Sequence, residues 1–207
     1  MSKLDLQDAF KIHPDDWHLM GFSWLDGAGC TQYYFSKVLT FGLRSAPALF
    51  DIFASALKQF MIKGGAPETI VRYVDDFLIV ASDARSCQDG LSIMLKTCEQ
   101  AGFPVQPSKV TSPSAIVKFL GITINTLDQT LSIDRARLDE ILHPVSHFLQ
   151  VRSVSKRQLL SLIGKLAFAA RAVNVGRAFL GRLVGVAKTT KYLHYSVKLS
   201  HDAKEDL

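Results

Sequence analysis

The stretch R-Y-V-D-D-F-L-I-V, Arg72 to Val80, sets two adjacent carboxylates, Asp75 and Asp76, inside a run that is apolar or aromatic apart from Arg72 at its head. "TIVRYV" before them and "FLIVAS" after them read as strands, so the acids read as a two-residue hairpin connection. Such a tight turn ordinarily takes Asn-Gly or Asp-Gly, because its backbone needs positive φ. Asp-Asp meets that demand poorly. It also sets like charges about 4 Å apart, a repulsion of roughly 4 kcal/mol at an effective dielectric of about 20. Both costs fall if a divalent cation lies over the turn, since carboxylate oxygens are the hard ligands Mg²⁺ takes beside substrate phosphates. The plainer alternative is a surface hairpin whose acids face water.

Asp5 tips the balance, because of the pattern around the hairpin. "HLMGFSW" and "CTQYYFSKVL" flank "LDGAG" as a first hairpin. "SAPALFDIFASALKQFMIKGG" reads as a helix capped by Ser45, with Pro47 in its first turn and Phe50, Phe53, Ala54, Leu57 and Met61 on one face. A second helix starts at Asp83 and ends at Gly102, and "VKFLGITIN" with "TLSI" closes the series as another hairpin. Without the first hairpin the order is β-α-β-β-α-β, the split pattern of ferredoxin-like α+β folds. In that sheet the first strand lies beside the central hairpin, which brings Asp5 close to Asp75 and Asp76. Three converging carboxylates can hold two metal ions about 3.5–4 Å apart, the arrangement that serves in-line displacement at phosphorus. Asp8 is the weaker candidate, since a bend after Asp5 would turn it elsewhere.

From Asp134 the pattern turns all-helical. Leu138, Ile141, Leu142, Val145, Phe148 and Leu149 keep helical spacing through Pro144, which should kink or interrupt that helix. Ser155 and Gln158 form a capping box before "LLSLIGKLAFAA". The expected domains are therefore 1–133 and 134–207. Charge follows the same division. Residues 1–127 hold 11 Lys+Arg against 12 Asp+Glu, and residues 128–207 hold 13 against 7. The basic second part points to a polyanion partner, with a solvated Lys/Arg surface as the alternative. No apolar run suits a membrane span and no leader pattern opens the chain, so a cytoplasmic or nuclear protein, neither secreted nor membrane-bound, is expected. Cys30, Cys87 and Cys98 have no metal or redox spacing and read as reduced thiols.

Five segments in order then resemble the motifs of reverse transcriptases: "LDLQDAF" motif A, "LTFGLRSAPALF" motif B, "YVDD" motif C, "AGFPVQPSK" motif D and "VKFLGI" motif E. "LTFGLRSAP", "HPDDWHLMGF" and "LLSLIGKLAFAARAVNVGRAFLGRL" look most like the DIRS group of tyrosine-recombinase retrotransposons. The resemblance implies a polymerase palm over 1–133, a helical thumb after it, and an RNA-directed DNA polymerase that transfers dNTP to a primer 3′-hydroxyl on an RNA or DNA template. Mg²⁺, with Mn²⁺ as an alternative, is the implied cofactor. Asp5, Asp75 and Asp76 match the metal-binding triad. Phe10 matches the aromatic gate against a 2′-hydroxyl, although a core role is the alternative. Phe41 and Gly42 match the motif B turn beside the nucleotide, with Phe41 standing where retroviral enzymes carry Gln. Lys109 matches the motif D lysine, a proton donor to pyrophosphate, with a surface lysine as the alternative. Tyr73, Val74, Leu120 and Gly121 match positions near the primer. Lys156, Arg157, Lys165 and Arg171 belong to the basic helical region expected to track a duplex backbone. The chain opens at motif A and stops at a stretch like the lead into an RNase H segment. Fingers and RNase H segments of a longer polyprotein are therefore expected partners, and an inactive nucleic-acid-binding remnant is the rival reading.

Overall fold

The computed structural model describes residues 1–7, 10–40, 42–67, 69–173 and 175–207. Its contacts divide the chain into two compact units, Met1–Val117 and Lys118–Leu207.

In the first unit, β1 (Ser2–Asp5) pairs antiparallel with β5 (Asp76–Ile79), which pairs antiparallel with β4 (Ile70–Tyr73), giving the order β1-β5-β4. Strand alternation sorts the side chains of β1. Ser2 and Leu4 are buried, while Lys3 and Asp5 are half-buried on the other face. Leu4 lies opposite Phe77, and both are fully buried. Helices α1 (Ala46–Lys63) and α2 (Ala84–Gln100) supply the rest of this core through Phe50, Leu57, Met61, Leu91, Met94 and Cys98. Each such side chain contributes about 1.5–3 kcal/mol on burial. Between β1 and α1, strands β2 (Gly21–Leu25) and β3 (Thr31–Phe35) form a separate, exposed ribbon.

The ferredoxin-like pattern is present with one correction. The segment after α2 that borders β1 is Val105–Thr111, which makes isolated antiparallel bridges Leu6–Val105 and Lys3–Thr111 around a 3₁₀ turn at Pro107–Lys109. Pro107 and that turn interrupt the ladder. "VKFLGITIN", expected to close this sheet, instead forms β6 (Ile116–Phe119) and β7 (Ile122–Asn125) of a second antiparallel sheet ordered β6-β7-β8, where β8 is Thr130–Ile133.

The second unit adds α3 (Arg135–Gln150), β9 (Ser153–Ser155), α4 (Lys156–Ala169), α5 (Leu180–Lys188), β10 (Ser196–Lys198) and α6 (His201–Glu205). The compact division falls ahead of residue 133, because β7 and β8 go with the helices. Lys118 pairs with Asp134 at the head of α3, and Gly121 lies against Phe168 of α4. Nor is the region wholly helical: β9 and β10 form a short antiparallel ladder over Val154–Val197 and its neighbours. Ile141, Val145, Phe148, Leu159, Leu162 and Leu183 make its core.

Local details separate expectation from outcome. The capping box of Ser155 and Gln158 forms, and Asp83 caps α2 through the Ser86 amide. Ser45 stands at the N-cap of α1 without a side-chain bond, and Phe53 is exposed rather than on the buried face. Leu142 and Leu149 are likewise exposed, leaving Ile141, Val145 and Phe148 as the buried stripe of α3. Pro144 does not interrupt α3. A proline there cannot donate to the carbonyl four residues earlier, that of Glu140. Lys165 Nζ from α4 donates to that carbonyl at 3.2 Å, so the freed acceptor is met from a neighbouring helix. All three cysteines are free, Cys87 and Cys98 buried and Cys30 exposed. Among the described residues, no helix is long and apolar enough to cross a membrane.

Candidate active site

The central hairpin differs from its sequence reading in one respect. Tyr73 pairs with Asp76, so the two turn residues are Val74 and Asp75, and Asp76 begins β5. Val74 has φ +54°, the sign that a two-residue hairpin asks of its first central residue and a value a β-branched side chain rarely adopts. Such a conformation costs about 1–3 kcal/mol and is held only where surrounding structure imposes it. Here Val74 packs against the core of the first unit. The adjacent acids thus separate by strand geometry: one sits in the turn and the other occupies a strand position.

Asp76 is the direct cross-strand partner of Asp5. Directly opposed residues point to the same face with Cβ atoms about 4.5–5.5 Å apart, so the two carboxylates share the face away from the core. Burial, followed by the charges of Asp5 and Asp75, pushes the Asp76 carboxyl above its ordinary pKa, while Lys3 opposes the rise. Lys109 Nζ donates to Asp5 Oδ2 at 2.8 Å, and Asp5 is only 16% exposed. That bond, followed by the charges of Asp5, Asp76 and Asp75, raises the pKa of Lys109, with desolvation acting against it. The structure therefore brings Asp5, Asp75, Asp76 and Lys109 to one locus. Three hard oxygen donors that repel one another fit a divalent cation. The tighter trio among the described residues is elsewhere: His201, Asp202 and Glu205 of α6 have ligand atoms within 4.8 Å of one another, all exposed. His201 and Glu205 there form an ordinary i,i+4 surface pair.

A cavity of about 580 Å³ opens beside the acids, with Asp75, Asp76, Tyr73 and Val74 on one side and Phe10, Gly42 and Leu39 among its other walls. The volume suits a nucleotide-sized ligand. Phe10 is half-buried. It stacks on core Phe50 at 4.6 Å between ring centroids, as its core reading expects, and it also lines the cavity. Gly42 has φ +93°, a conformation that favours glycine. Phe41 and Asp8 lie outside the described residues.

The sequence reading missed several contributors. Leu6, Val38, Leu39, Leu43 and Pro47 also line the cavity. Leu39 N–H donates to the Phe10 carbonyl at 2.8 Å, fixing that wall. Arg72, at the head of the acidic stretch, donates to Asp51 Oδ1 at 2.6 Å and to Ser55 Oγ at 3.0 Å, tying β4 to α1 behind the hairpin. A basic residue with its side chain on a half-buried strand was the available signal.

In the second unit, Leu120 (φ +49°) and Gly121 (φ +78°) form the two-residue turn between β6 and β7. A Cβ on Gly121 would meet Phe168 Cζ at 3.0 Å, so the turn rests on that ring. Arg137 and Arg171 both lie over the Phe168 ring, at 5.2 and 5.9 Å from its centroid. Lys156 donates to the Thr190 carbonyl, Lys165 holds the Glu140 carbonyl, and Arg157 is exposed in the first turn of α4. These four cations are thus spread over the unit, and only Arg157 and Lys165 line one groove.

Residues 1–124 match the family model described as reverse transcriptase (RNA-dependent DNA polymerase). The chain is 33% identical over 127 residues to the Gag-Pol polyprotein of woolly monkey sarcoma virus, which covers 58% of this chain and 7% of that one. It is 29% identical over 144 residues to the Gag-Pol polyprotein of feline leukemia virus, covering 67% and 8%. Its fold is similar to the foamy viral protease-reverse transcriptase dRH solved with double-stranded DNA, with a TM-score of 0.72, 21% identity, and 99% and 33% of the two chains covered. The foamy viral protease-reverse transcriptase with an RNA/DNA hybrid gives 0.71, 22%, 99% and 26%. The chain therefore spans a small part of the polyproteins and about a third or less of these solved chains.

Proposed function

The chain belongs to the reverse transcriptase (RNA-dependent DNA polymerase) family, and on that premise we propose that it is the palm and thumb of an RNA-directed DNA polymerase that adds dNTP to a primer 3′-hydroxyl. The observation that carries this reading is the direct pairing of Asp5 with Asp76, with Asp75 in the adjoining turn, at the mouth of a nucleotide-sized cavity. Asp5, Asp75 and Asp76 would hold Mg²⁺, or Mn²⁺ in its place. Divalent ions so held lower the pKa of the attacking hydroxyl and offset the charge of the triphosphate.

The remaining roles fall to the chain's own side chains. Phe10 forms a wall that a 2′-hydroxyl would crowd. Gly42 lets backbone approach the nucleotide without a Cβ, beside Phe41. Tyr73 and Val74 lie where a primer end would meet the acids. Lys109, whose ammonium already reaches Asp5, can hand a proton to a leaving pyrophosphate oxygen. In the second unit, the Leu120–Gly121 turn would hold the primer strand, and Lys156, Arg157, Lys165 and Arg171 supply positive charge towards backbone phosphates.

The template would be RNA or DNA, and the chain would act with fingers and RNase H segments of a longer polyprotein in the cytoplasm or nucleus. The segments "LTFGLRSAP" and "HPDDWHLMGF" support placing it in the DIRS group. The test is primer extension with Mg²⁺ on RNA and DNA templates by a polyprotein containing this chain, beside its Asp76→Asn variant. Template-dependent extension that disappears in the variant is expected. Extension that survives Asp76→Asn would overturn the reading.

A further inference from the structure

Across the first sheet, Phe77 of β5 lies opposite Leu4 on β1 and opposite Arg72 on the edge strand β4. Leu4 and Phe77 are fully buried. Arg72 therefore leaves its strand on the core face, away from the acids, and its side chain is only 15% exposed. A charged group is a costly occupant of such a position unless its donors are met. Here they are met by α1. Arg72 Nη2 donates to Asp51 Oδ1 at 2.6 Å and to Ser55 Oγ at 3.0 Å, two groups one turn apart on that helix. Among the described residues, no other side-chain hydrogen bond or ion pair joins β4 or β5 to α1.

Both ends of this link run on into the cavity. On the strand side Tyr73 follows Arg72 directly, and the hairpin from Tyr73 to Asp76 forms one wall. On the helix side Ala46 and Pro47, in the first turn of α1, form part of another wall with Gly42 just ahead of them. Asp51 lies four residues beyond Pro47, about 6 Å along the helix. Stability alone does not call for an arginine here. Well-packed apolar side chains of similar volume are often as stabilising as a buried ion pair. Apolar packing has no direction, whereas a charge-assisted hydrogen bond fixes distance and angle. The hairpin needs such fixing, because Val74, two residues on, holds a φ of +54° that persists only while surrounding structure imposes it.

We propose that Arg72 is a positioning residue of the polymerase site. Through Asp51 and Ser55 it sets the distance between the acidic hairpin and the start of α1, and so the width of the space in which an incoming dNTP is aligned. The inference rests on the polymerase reading for the identity of that ligand. It adds a residue that acts from the far face of the sheet, through the backbone of β4 and through α1. Without the link the two walls drift apart, which weakens the hold on the nucleotide first and its alignment with the primer end second.

The experiment pairs two measurements: single-nucleotide extension kinetics of a polyprotein containing this chain, and amide hydrogen exchange of the intact chain. The variants are Arg72→Met, Arg72→Lys, the double change Asp51→Ala with Ser55→Ala, and the triple change that adds Arg72→Met to it. Arg72→Met should still melt cooperatively, because methionine keeps the packing. It should lower kcat/KM for dNTP by about 10- to 100-fold, mostly through KM. Arg72→Lys keeps the charge without the planar fork and should recover part of that loss. The helix double variant should reproduce the loss, and the triple should be no worse than either, since all of them break one link. Exchange in Arg72→Met should quicken along Tyr73–Asp76 and at the Leu43, Ala46 and Leu49 amides that close the entry to α1, and should stay unchanged in α2. An unchanged KM would overturn the proposal, as would unchanged exchange at the two walls. Losses that add in the triple variant would overturn it too, because Arg72 would then act by a route other than α1. A parent that extends no primer would instead overturn the polymerase reading, while the exchange comparison still decides whether Arg72 couples the two walls.

Discussion

Asp5 and Asp76 stand directly opposite each other across β1 and β5, two carboxylates in a register position that elsewhere in the same ladder holds the buried pair Leu4 and Phe77. A protein with no use for charge at that point would gain by losing one acid. The neutral variant Asp76→Asn should therefore raise Tm at pH 7 in chelator, because it removes a half-buried charge that Asp5 and Asp75 repel. The same change should lower extension by more than about 100-fold, since loss even of a group that only supports a metal ligand costs about 10–100-fold. Thermal unfolding with and without Mg²⁺ checks the first half. Mg²⁺ should raise the Tm of the parent and have little effect on the variant.

Phe10 serves both the core and the cavity, so its substitutions should show two effects. Phe10→Ala should cost about 2 kcal/mol, half the range for a fully buried phenylalanine, through loss of the Phe50 stack. Phe10→Val should keep more of that stability. Both should raise incorporation of ribonucleotides relative to deoxyribonucleotides in a polyprotein that extends primers. Denaturant unfolding and single-nucleotide extension with paired substrates would measure the two effects, and an unchanged substrate ratio would leave Phe10 a core residue alone.

Gly121 is held by two separate constraints, its φ of +78° and the Phe168 ring at 3.0 Å from any added Cβ. Gly121→Ala should destabilise by about 1–2 kcal/mol from backbone conformation alone, and by more with the ring in place. Adding Phe168→Leu should recover the second part and leave the first. A double-mutant cycle in denaturant should therefore give a coupling of about 0.5–3 kcal/mol. Strict additivity would mean that the turn does not rest on the ring.

Asp83 caps α2, and the Ser86 amide, followed by the Ser86 and Ser82 hydroxyls, holds its carboxyl down at about 2 against an ordinary 3.8. A depressed carboxyl stabilises the fold above its unfolded pKa, and that contribution is lost as pH falls through the folded value. Asp83→Ala should therefore lower Tm at pH 7, and the gap from the parent should close between about pH 4 and about pH 2. Melting curves across that range provide the measurement. A gap independent of pH would assign the cap to shape rather than charge.

The sequence by itself determined the elements and their chemistry. The strand runs on either side of Asp75 and Asp76, the 3.6-period face of Phe50, Leu57 and Met61, and the Asp83 and Ser155 caps are all local signals, and each formed as read. Asp75 and Asp76 were legible for the same reason, because adjacent charges in an apolar run stand out without any partner in view, whereas Asp5 needed the sheet order to be brought beside them. What only the tertiary structure decided was register and pairing. Asp76 entered a strand and the turn moved to Val74–Asp75, because the ladder with β1 sets the register there and the packed core holds Val74 at positive φ. Lys109 met Asp5 across more than a hundred residues of sequence, and "VKFLGITIN" left the first sheet for its own. Lys165 bonded the carbonyl freed by Pro144, so a residue that should break a helix became part of a continuous one. Each of these outcomes depends on a contact between segments far apart in the chain, where the gain comes from burial and hydrogen bonding that no local pattern encodes.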